Sequence, residues 1–213
     1  MNLLVLTNEA GRMELETQPF TEAVKVDWMD GPGNIPLHSI PRIYDACIDL
    51  LFDGDMSRVD WMRKSGAPLI AVNAVGIPLS EIGVDLIRIN AWPTFLARPI
   101  MEAVSVNEEI KLKAAQMFEV LGRRVEWVPD IKGMISPRII CSIINEAFFS
   151  LDEKISTEEE IDTAMRLGTN YPYGPFEWGR KIGLPVIYNL LIELGAEQAR
   201  YRPSALLKQM RLA

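Results

Sequence analysis

The chain has 213 residues, 48% hydrophobic and 24% charged, which is the balance of a globular protein with a core of its own. Its net charge of −7 argues against a nucleic-acid or anionic-membrane surface, because both need clustered Lys and Arg on the protein. Cys47 and Cys141 lie far apart and match no metal or redox spacing, so we expect buried free thiols in a reducing compartment and no metal site.

Residues 1–9 carry no basic segment, and their apolar run is too short for a signal peptide. No stretch of the sequence reaches the roughly 20 apolar residues that span a bilayer. We therefore expect a cytoplasmic protein without a membrane segment.

The first 130 residues alternate short strand-like runs with helical or loop segments. The candidate strands are residues 3–6, 24–28, 47–52, 69–73, 86–89, 101–106 and 125–128. Residues 107–122 predict a helix whose apolar side chains share one face and whose end is marked by Gly122. Strands that alternate with helices indicate an α/β unit with a mostly parallel sheet.

After residue 130 the pattern becomes helical to the end of the chain. Residues 139–149 and 184–194 carry apolar side chains at helical spacing, and Gly195 is expected to close the second helix. Ser156, three residues before Glu159, predicts a capping box, and Pro175 stands at a first helical position. We therefore predict an α/β domain over residues 1–130 and an all-α domain over residues 131–213.

Several irregular motifs occur in order within the second half. They are Asn-Glu-Ala at 145–147, Ile-Asp-Thr-Ala-Met at 161–165, Tyr-Pro-Tyr-Gly-Pro-Phe-Glu at 171–177 and Ile-Gly-Leu at 182–184. This half resembles the helical domain of 3-hydroxyacyl-CoA dehydrogenases, and weaker similarity extends upstream to about residue 45. The resemblance implies a reduced Rossmann-like N-terminal domain followed by the helical C-terminal domain of that family.

The resemblance also implies site residues. The family transfers hydride reversibly between (S)-3-hydroxyacyl-CoA and NAD. Asp49 and Asn73 match positions on its cofactor side, Glu102 matches the glutamate that orients the catalytic histidine, and Asn90 is the nearest equivalent of that histidine. An acyl-CoA thioester is the implied partner, and the family's helical domains commonly form homodimers.

Several of the family's functional groups are missing. A Gly-x-Gly-x-x-Gly loop should follow the first strand, but residues 7–14 contain one glycine, Gly11, and two carboxylates. That connection is short for a full crossover helix, and Asp27 is the remaining candidate for a ribose partner. The one histidine, His38, lies far upstream of the expected base and is expected to be structural.

Further departures occur at four positions of the resemblance. Val75 and Gly76 stand where hydroxyl side chains are expected, Pro137 stands where an active-site asparagine belongs, and Arg180 replaces an aspartate. Three hypotheses follow: an enzyme with residual or altered NAD-dependent activity, a non-catalytic acyl-CoA binder, or a dimeric accessory protein that is a pseudoenzyme. We favour a 3-hydroxyacyl-CoA dehydrogenase-like protein of fatty-acid and acyl-CoA metabolism whose activity is weak or lost.

Overall fold

A computed structural model describes residues 1–31 and 43–211 of the chain. The chain divides into two compact units, Met1–Met134 and Ile135–Ala213. His38 lies outside the described residues. Among the helices of the described ranges, none is both long and apolar enough to cross a membrane.

The first unit contains a seven-stranded sheet with the spatial order β2-β1-β3-β4-β5-β6-β7. Its strands are β1 (Asn2–Thr7), β2 (Lys25–Asp30), β3 (Ala46–Asp49), β4 (Ile70–Asn73), β5 (Ile87–Ile89), β6 (Ile100–Val104) and β7 (Arg124–Trp127). Neighbouring strands run parallel except for β5 and β6, which are antiparallel. All seven candidate strands are present, and the α/β fold class is confirmed.

Helices α1 (Glu9–Leu15), α2 (Met56–Arg63), α3 (Leu79–Ile82) and α4 (Glu108–Val120) connect these strands. The first crossover holds only two helical turns in α1, which fits the short connection read from the sequence. Helix α4 buries Ala114, Met117 and Phe118 against one face of the sheet, where apolar side chains from most of the strands form the core. Gly122, just beyond the helix, has a φ of 72°, as expected of a helix stop.

The second unit is helical throughout its described residues. It contains α5 (Ser136–Asp152), α6 (Glu158–Thr169), α7 (Pro175–Ile182), α8 (Leu184–Glu197) and α9 (Ala205–Met210), with a 3-10 turn at Ala199–Tyr201 before α9. Pro175 is the first residue of α7, as predicted. A long amphipathic α5 provides the central apolar face, with Ile140, Cys141, Ile144, Ala147 and Phe148 buried.

Two local predictions in this unit are wrong. The capping box of α6 is formed by Thr157 and Glu160, one residue beyond the predicted pair. The side chain of Ser156 donates instead to Glu160 at 2.6 Å, so it supports the same cap from outside. Helix α8 continues past Gly195 to Glu197, and Gly195 lies inside its last turn, where an added Cβ would contact the backbone of Arg202 at 3.4 Å.

The family-like motifs fix the turns between these helices. Asp162 on α6 accepts hydrogen bonds from the N–H groups of Phe176 (2.7 Å) and Glu177 (3.0 Å) and so caps α7. Gly174 permits this approach, because a Cβ there would overlap Asp162. Asn145 accepts from the Ser204 N–H at 2.8 Å and donates to the Arg202 carbonyl at 3.0 Å. These residues therefore act on the fold of the helical unit.

Candidate functional site

Three polar side chains predicted from the resemblance meet at one edge of the sheet. Asn73 ends β4, Asn90 follows β5, and Glu102 lies on β6. Because β6 runs antiparallel to β5, it brings Glu102 back to the edge where β4 and β5 end. The backbone N–H of Asn90 donates to the carbonyl of Glu102 at 3.0 Å. We call Asn73, Asn90 and Glu102 the strand-end cluster.

The side chains of Asn90 and Glu102 are in direct contact. Asn90 is 2% exposed, and its Nδ2 donates to Glu102 Oε2 over 3.3 Å. Its Oδ1 accepts from the Trp92 N–H at 3.4 Å, which orients the amide. Glu102 is partly exposed, so its carboxylate can accept a hydrogen bond from a hydroxyl group, whereas the Asn90 amide is buried and bound on both sides. The amide cannot accept a proton at neutral pH, so this pair lacks the base that a histidine would supply.

Asn73 makes its hydrogen bonds to the backbone. Its Nδ2 donates to the Leu50 carbonyl at 3.2 Å, and its Oδ1 accepts from the Ala91 N–H at 3.0 Å. These bonds join the carboxyl end of β3 to the segment that follows β5. Asn73 therefore fixes the relative positions of three strand ends around the cluster.

Asp49 belongs to a different network. It is fully buried on β3, and its Oδ1 accepts from the Leu51 N–H at 2.9 Å and from Arg58 Nη2 at 2.5 Å. Within the described part of the chain, Asp49 Oδ2 and Arg58 Nε have no hydrogen-bond partner. Burial raises the pKa of Asp49, and the charge of Arg58 opposes this shift. The structure therefore joins Asp49 to α2 through Arg58 and does not bring it into the strand-end cluster.

The turn after β1 does not fit a dinucleotide. In Rossmann-type sheets the pyrophosphate is held by bare backbone N–H groups at the start of the first helix. Here Asn8 caps α1, and its Oδ1 accepts from the Gly11 N–H at 2.9 Å. Glu9 adds a carboxylate to the first turn, and Thr7 is buried just before it. We derive no reaction step through NAD from this unit.

The acidic residue at the end of β2 is Asp30 and not Asp27. Asp27 lies in the middle of the strand, where its carboxylate accepts a hydrogen bond from the Tyr44 hydroxyl at 3.0 Å. Asp30 pairs in register with Thr7, at the edge where a ribose partner is expected in this fold class. The sequence analysis named Asp27 alone, because the predicted strand, residues 24–28, ended two residues before the observed one.

Two buried arginines were not identified from the sequence. Arg88 of β5 is fully buried and donates to the carbonyls of Ala74 (2.9 Å) and Val75 (3.0 Å), and also to Asp130. Arg123, before β7, donates to the Leu15 carbonyl at 2.8 Å, and burial lowers its pKa to about 10. Arg88 could have been recognised from the sequence, because it is the one charged residue within the apolar run 86–89.

The described residues thus form one unit with a mostly parallel, Rossmann-like sheet and a second unit made of helices. Residues 133–213 match the family model described as "3-hydroxyacyl-CoA dehydrogenase, C-terminal domain". The helical unit of the chain is therefore similar to the C-terminal domain of 3-hydroxyacyl-CoA dehydrogenases.

Among individual proteins, 3-hydroxyadipyl-CoA dehydrogenase of Escherichia coli K12 is 42% identical over 113 residues, 52% of this chain and 24% of that protein. A probable 3-hydroxybutyryl-CoA dehydrogenase of Bacillus subtilis is 28% identical over 66% of this chain and 53% of its own length. The chain therefore spans between a quarter and about half of the length of these curated relatives.

The fold is also found in a solved structure. The crystal structure of (S)-3-hydroxybutyryl-CoA dehydrogenase from Ralstonia eutropha superposes with a TM-score of 0.71, covering 98% of this chain and 92% of that one. The sequence identity is 19%, so this likeness concerns the fold alone. It agrees with the predicted order of a Rossmann-like domain followed by a helical domain.

Proposed function

We propose that this chain is a 3-hydroxyacyl-CoA dehydrogenase-like protein of fatty-acid and acyl-CoA metabolism in which NAD-dependent oxidation of (S)-3-hydroxyacyl-CoA is weak or lost. The observation that carries the proposal is the pairing of Glu102 with Asn90, an amide where the family uses a histidine. A hydroxyl proton has no histidine acceptor at this edge among the described residues, and general-base catalysis typically contributes 10²–10⁴-fold to a rate.

The experiment is NADH oxidation with acetoacetyl-CoA, followed at 340 nm for the wild type and for Glu102→Gln. We expect a rate close to the buffer background in both proteins, because neither has a paired histidine and carboxylate. A wild-type rate well above background that falls in Glu102→Gln would contradict the proposal. Leu112→Ala, on the exposed side of α4, serves as a control for general effects of substitution.

A non-catalytic role is the second candidate. The chain would bind an acyl-CoA thioester, or serve as an accessory protein that forms a homodimer through its helical unit. Exposed apolar side chains favour the homodimeric accessory protein. They are Ile139 on α5 (52% exposed), Leu167 on α6 (77%) and Ile192 on α8 (47%). Apolar groups of this size on a surface are common at protein interfaces, although single ones also occur elsewhere.

Two measurements separate these roles. Calorimetric titration with acetoacetyl-CoA should give a binding heat above that of buffer if the chain binds the thioester. Light scattering should give the mass of a dimer if the helical unit pairs, and Ile139→Asp with Leu167→Asp should shift it toward the monomer. Buffer-level heat together with a monomeric mass at all concentrations would remove both forms of this candidate.

A further inference from the structure

We infer that the turn between β1 and α1 excludes a dinucleotide pyrophosphate, and that Asn8 and Glu9 are the side chains that exclude it. The inference concerns the chain's own residues at that turn. It does not depend on whether the strand-end cluster binds a thioester.

The first step is the use of the backbone N–H groups. A phosphate at the start of a helix needs the first amides to be open and close to it. In this chain one of these first amides, the N–H of Gly11, is bound by Asn8 Oδ1 at 2.9 Å. A side chain of the protein thus occupies the position that an anionic oxygen would take.

The second step is the space inside the turn. A Cβ added to Gly11 would lie 2.5 Å from Thr7 Oγ1 and 3.4 Å from Asn8 Oδ1. Thr7 is 3% exposed, and its hydroxyl donates to the Asn8 carbonyl at 3.2 Å. Gly11 is therefore needed for the packing of the chain on itself, so its lack of a side chain leaves no open cradle.

The third step is charge. Glu9 stands in the first turn of α1, and Glu16 follows the helix, where it pairs with the one basic residue of α1, Arg12, at 3.1 Å. Asp30, in register with Thr7 on the neighbouring strand, adds another carboxylate at the same edge. A pyrophosphate would thus meet like charges, which reduce its affinity further.

The fourth step is that α1 is held in place at its other end. Both carboxylate oxygens of Glu14 accept from the Thr94 N–H, at 2.9 and 2.8 Å. Arg123 donates to the Leu15 carbonyl at 2.8 Å and also contacts the Leu96 carbonyl. Because these bonds join α1 to two other segments of the unit, the helix cannot swing away to open the turn without breaking them.

The experiment measures binding of ADP-ribose and of NADH by calorimetry, in the wild type and in the double variant Asn8→Gly with Glu9→Gln. Glycine is tolerated at a helix N-cap, so we expect the variant to fold, with melting followed by circular dichroism. We expect wild-type dissociation constants weaker than about 1 mM. Because the variant frees one amide and removes one carboxylate, we expect both ligands to bind it at least about tenfold more tightly.

Each outcome decides the inference. Wild-type binding of ADP-ribose tighter than about 1 mM would overturn the exclusion. A folded variant with no gain would overturn the assignment to Asn8 and Glu9. S-Acetoacetyl-pantetheine, a thioester without nucleotide or pyrophosphate, is titrated into the same two proteins and should behave identically in both. Failure of the proposed function in that titration is therefore distinct from failure of this inference.

Discussion

Arg88 and Asp130 form an ion pair in which the arginine is fully buried and the aspartate is 23% exposed. Arg88 comes from the centre of the sheet, and Asp130 from the segment that follows β7. Asp130 also accepts from the Leu79 N–H, so the pair ties β5, the start of α3 and the last residues of the first unit together. This contact fixes the path of the chain after the last strand of the sheet.

Replacement of Arg88 should therefore be costly. We expect Arg88→Met to lower the free energy of unfolding by about 3–5 kcal/mol, because it leaves the Ala74 and Val75 carbonyls and Asp130 without their donor. Urea denaturation followed by circular dichroism measures this. Arg63→Met, which removes exposed pairs with Asp60 and Asp85, is the control, with an expected loss of about 0–1 kcal/mol. Equal losses in the two variants would contradict the structural role of Arg88.

Gly174 should not accept a side chain. We expect Gly174→Ala to destabilise the protein by more than about 3 kcal/mol, because the new Cβ would overlap the backbone and side chain of Asp162 and disrupt the cap of α7. Gly168→Ala is the matched control. No heavy atom lies within 4 Å of a Cβ at Gly168, and it sits inside α6, so alanine should add about 0.5–1 kcal/mol. A neutral Gly174→Ala would show that α6 and α7 are packed differently.

Asp49 should give stability a characteristic pH dependence. Burial raises its folded-state pKa, so its contribution is fully present below its unfolded pKa of about 3.9 and is lost as the pH rises through the folded value. The difference in unfolding free energy between the wild type and Asp49→Asn should therefore shrink as the pH rises through that window. In the variant, Arg58 keeps its ion pair with Asp53 at 3.3 Å. Urea titrations at a series of pH values measure the slope.

Asp55 serves as a control, because its contribution to stability should depend on pH with the opposite sign. Its pKa is lowered, chiefly by hydrogen bonds from Ser57 at the start of α2. Its contribution is therefore present above the unfolded pKa and lost as the pH falls through the folded value. The difference between the wild type and Asp55→Asn should grow with rising pH. Parallel slopes for the two aspartates would refute the assigned direction for Asp49.

Neither cysteine should react in the folded protein. Both thiols are buried, and burial raises the pKa of Cys47 to about 11 and that of Cys141 further. We expect labelling by Ellman's reagent to be at least about 100-fold slower in the native protein than in denaturant, since both access and thiolate formation are suppressed. Rapid labelling of one thiol would locate a locally opened segment. The single variants Cys47→Ala and Cys141→Ala identify which cysteine reacts.

Much of the fold was predictable because its signals are local. Strands β1, β3 and β4 are mainly short apolar runs, and the faces of α4 and α5 repeat at helical spacing, so their positions follow from residue order alone. The cap of α6 was misplaced by one residue because Ser156 and Thr157 are each followed three positions later by a glutamate. Only the backbone geometry distinguishes the two. The prediction at Gly195 was wrong for a similar reason, since glycine occurs inside helices as well as just after their ends.

The site was predictable only in part. The family resemblance predicted Asn73, Asn90 and Glu102, which are distant in sequence, and the reversal of β6 brings them together. No local pattern could show that Asp49 is bound by Arg58, because the pairing depends on how α2 packs against β3. The side chains that fill the turn after β1 were visible in the sequence as departures from a motif. Their hydrogen bonds required coordinates.

Asn73 uses its side chain for two hydrogen bonds to the backbone, so at this edge of the sheet it supports the strand ends and does not recognise a ligand. The side chain of Asn73 connects the strand ends, and both its Nδ2 and its Oδ1 are already hydrogen-bonded. The Asn90 amide is likewise bound on both sides, by Glu102 and by the Trp92 N–H, so exchange of Glu102 is the change that alters what this edge presents while Asn73 keeps the strand ends aligned. The alignment of the strand ends is in this sense independent of the polar group that the edge presents.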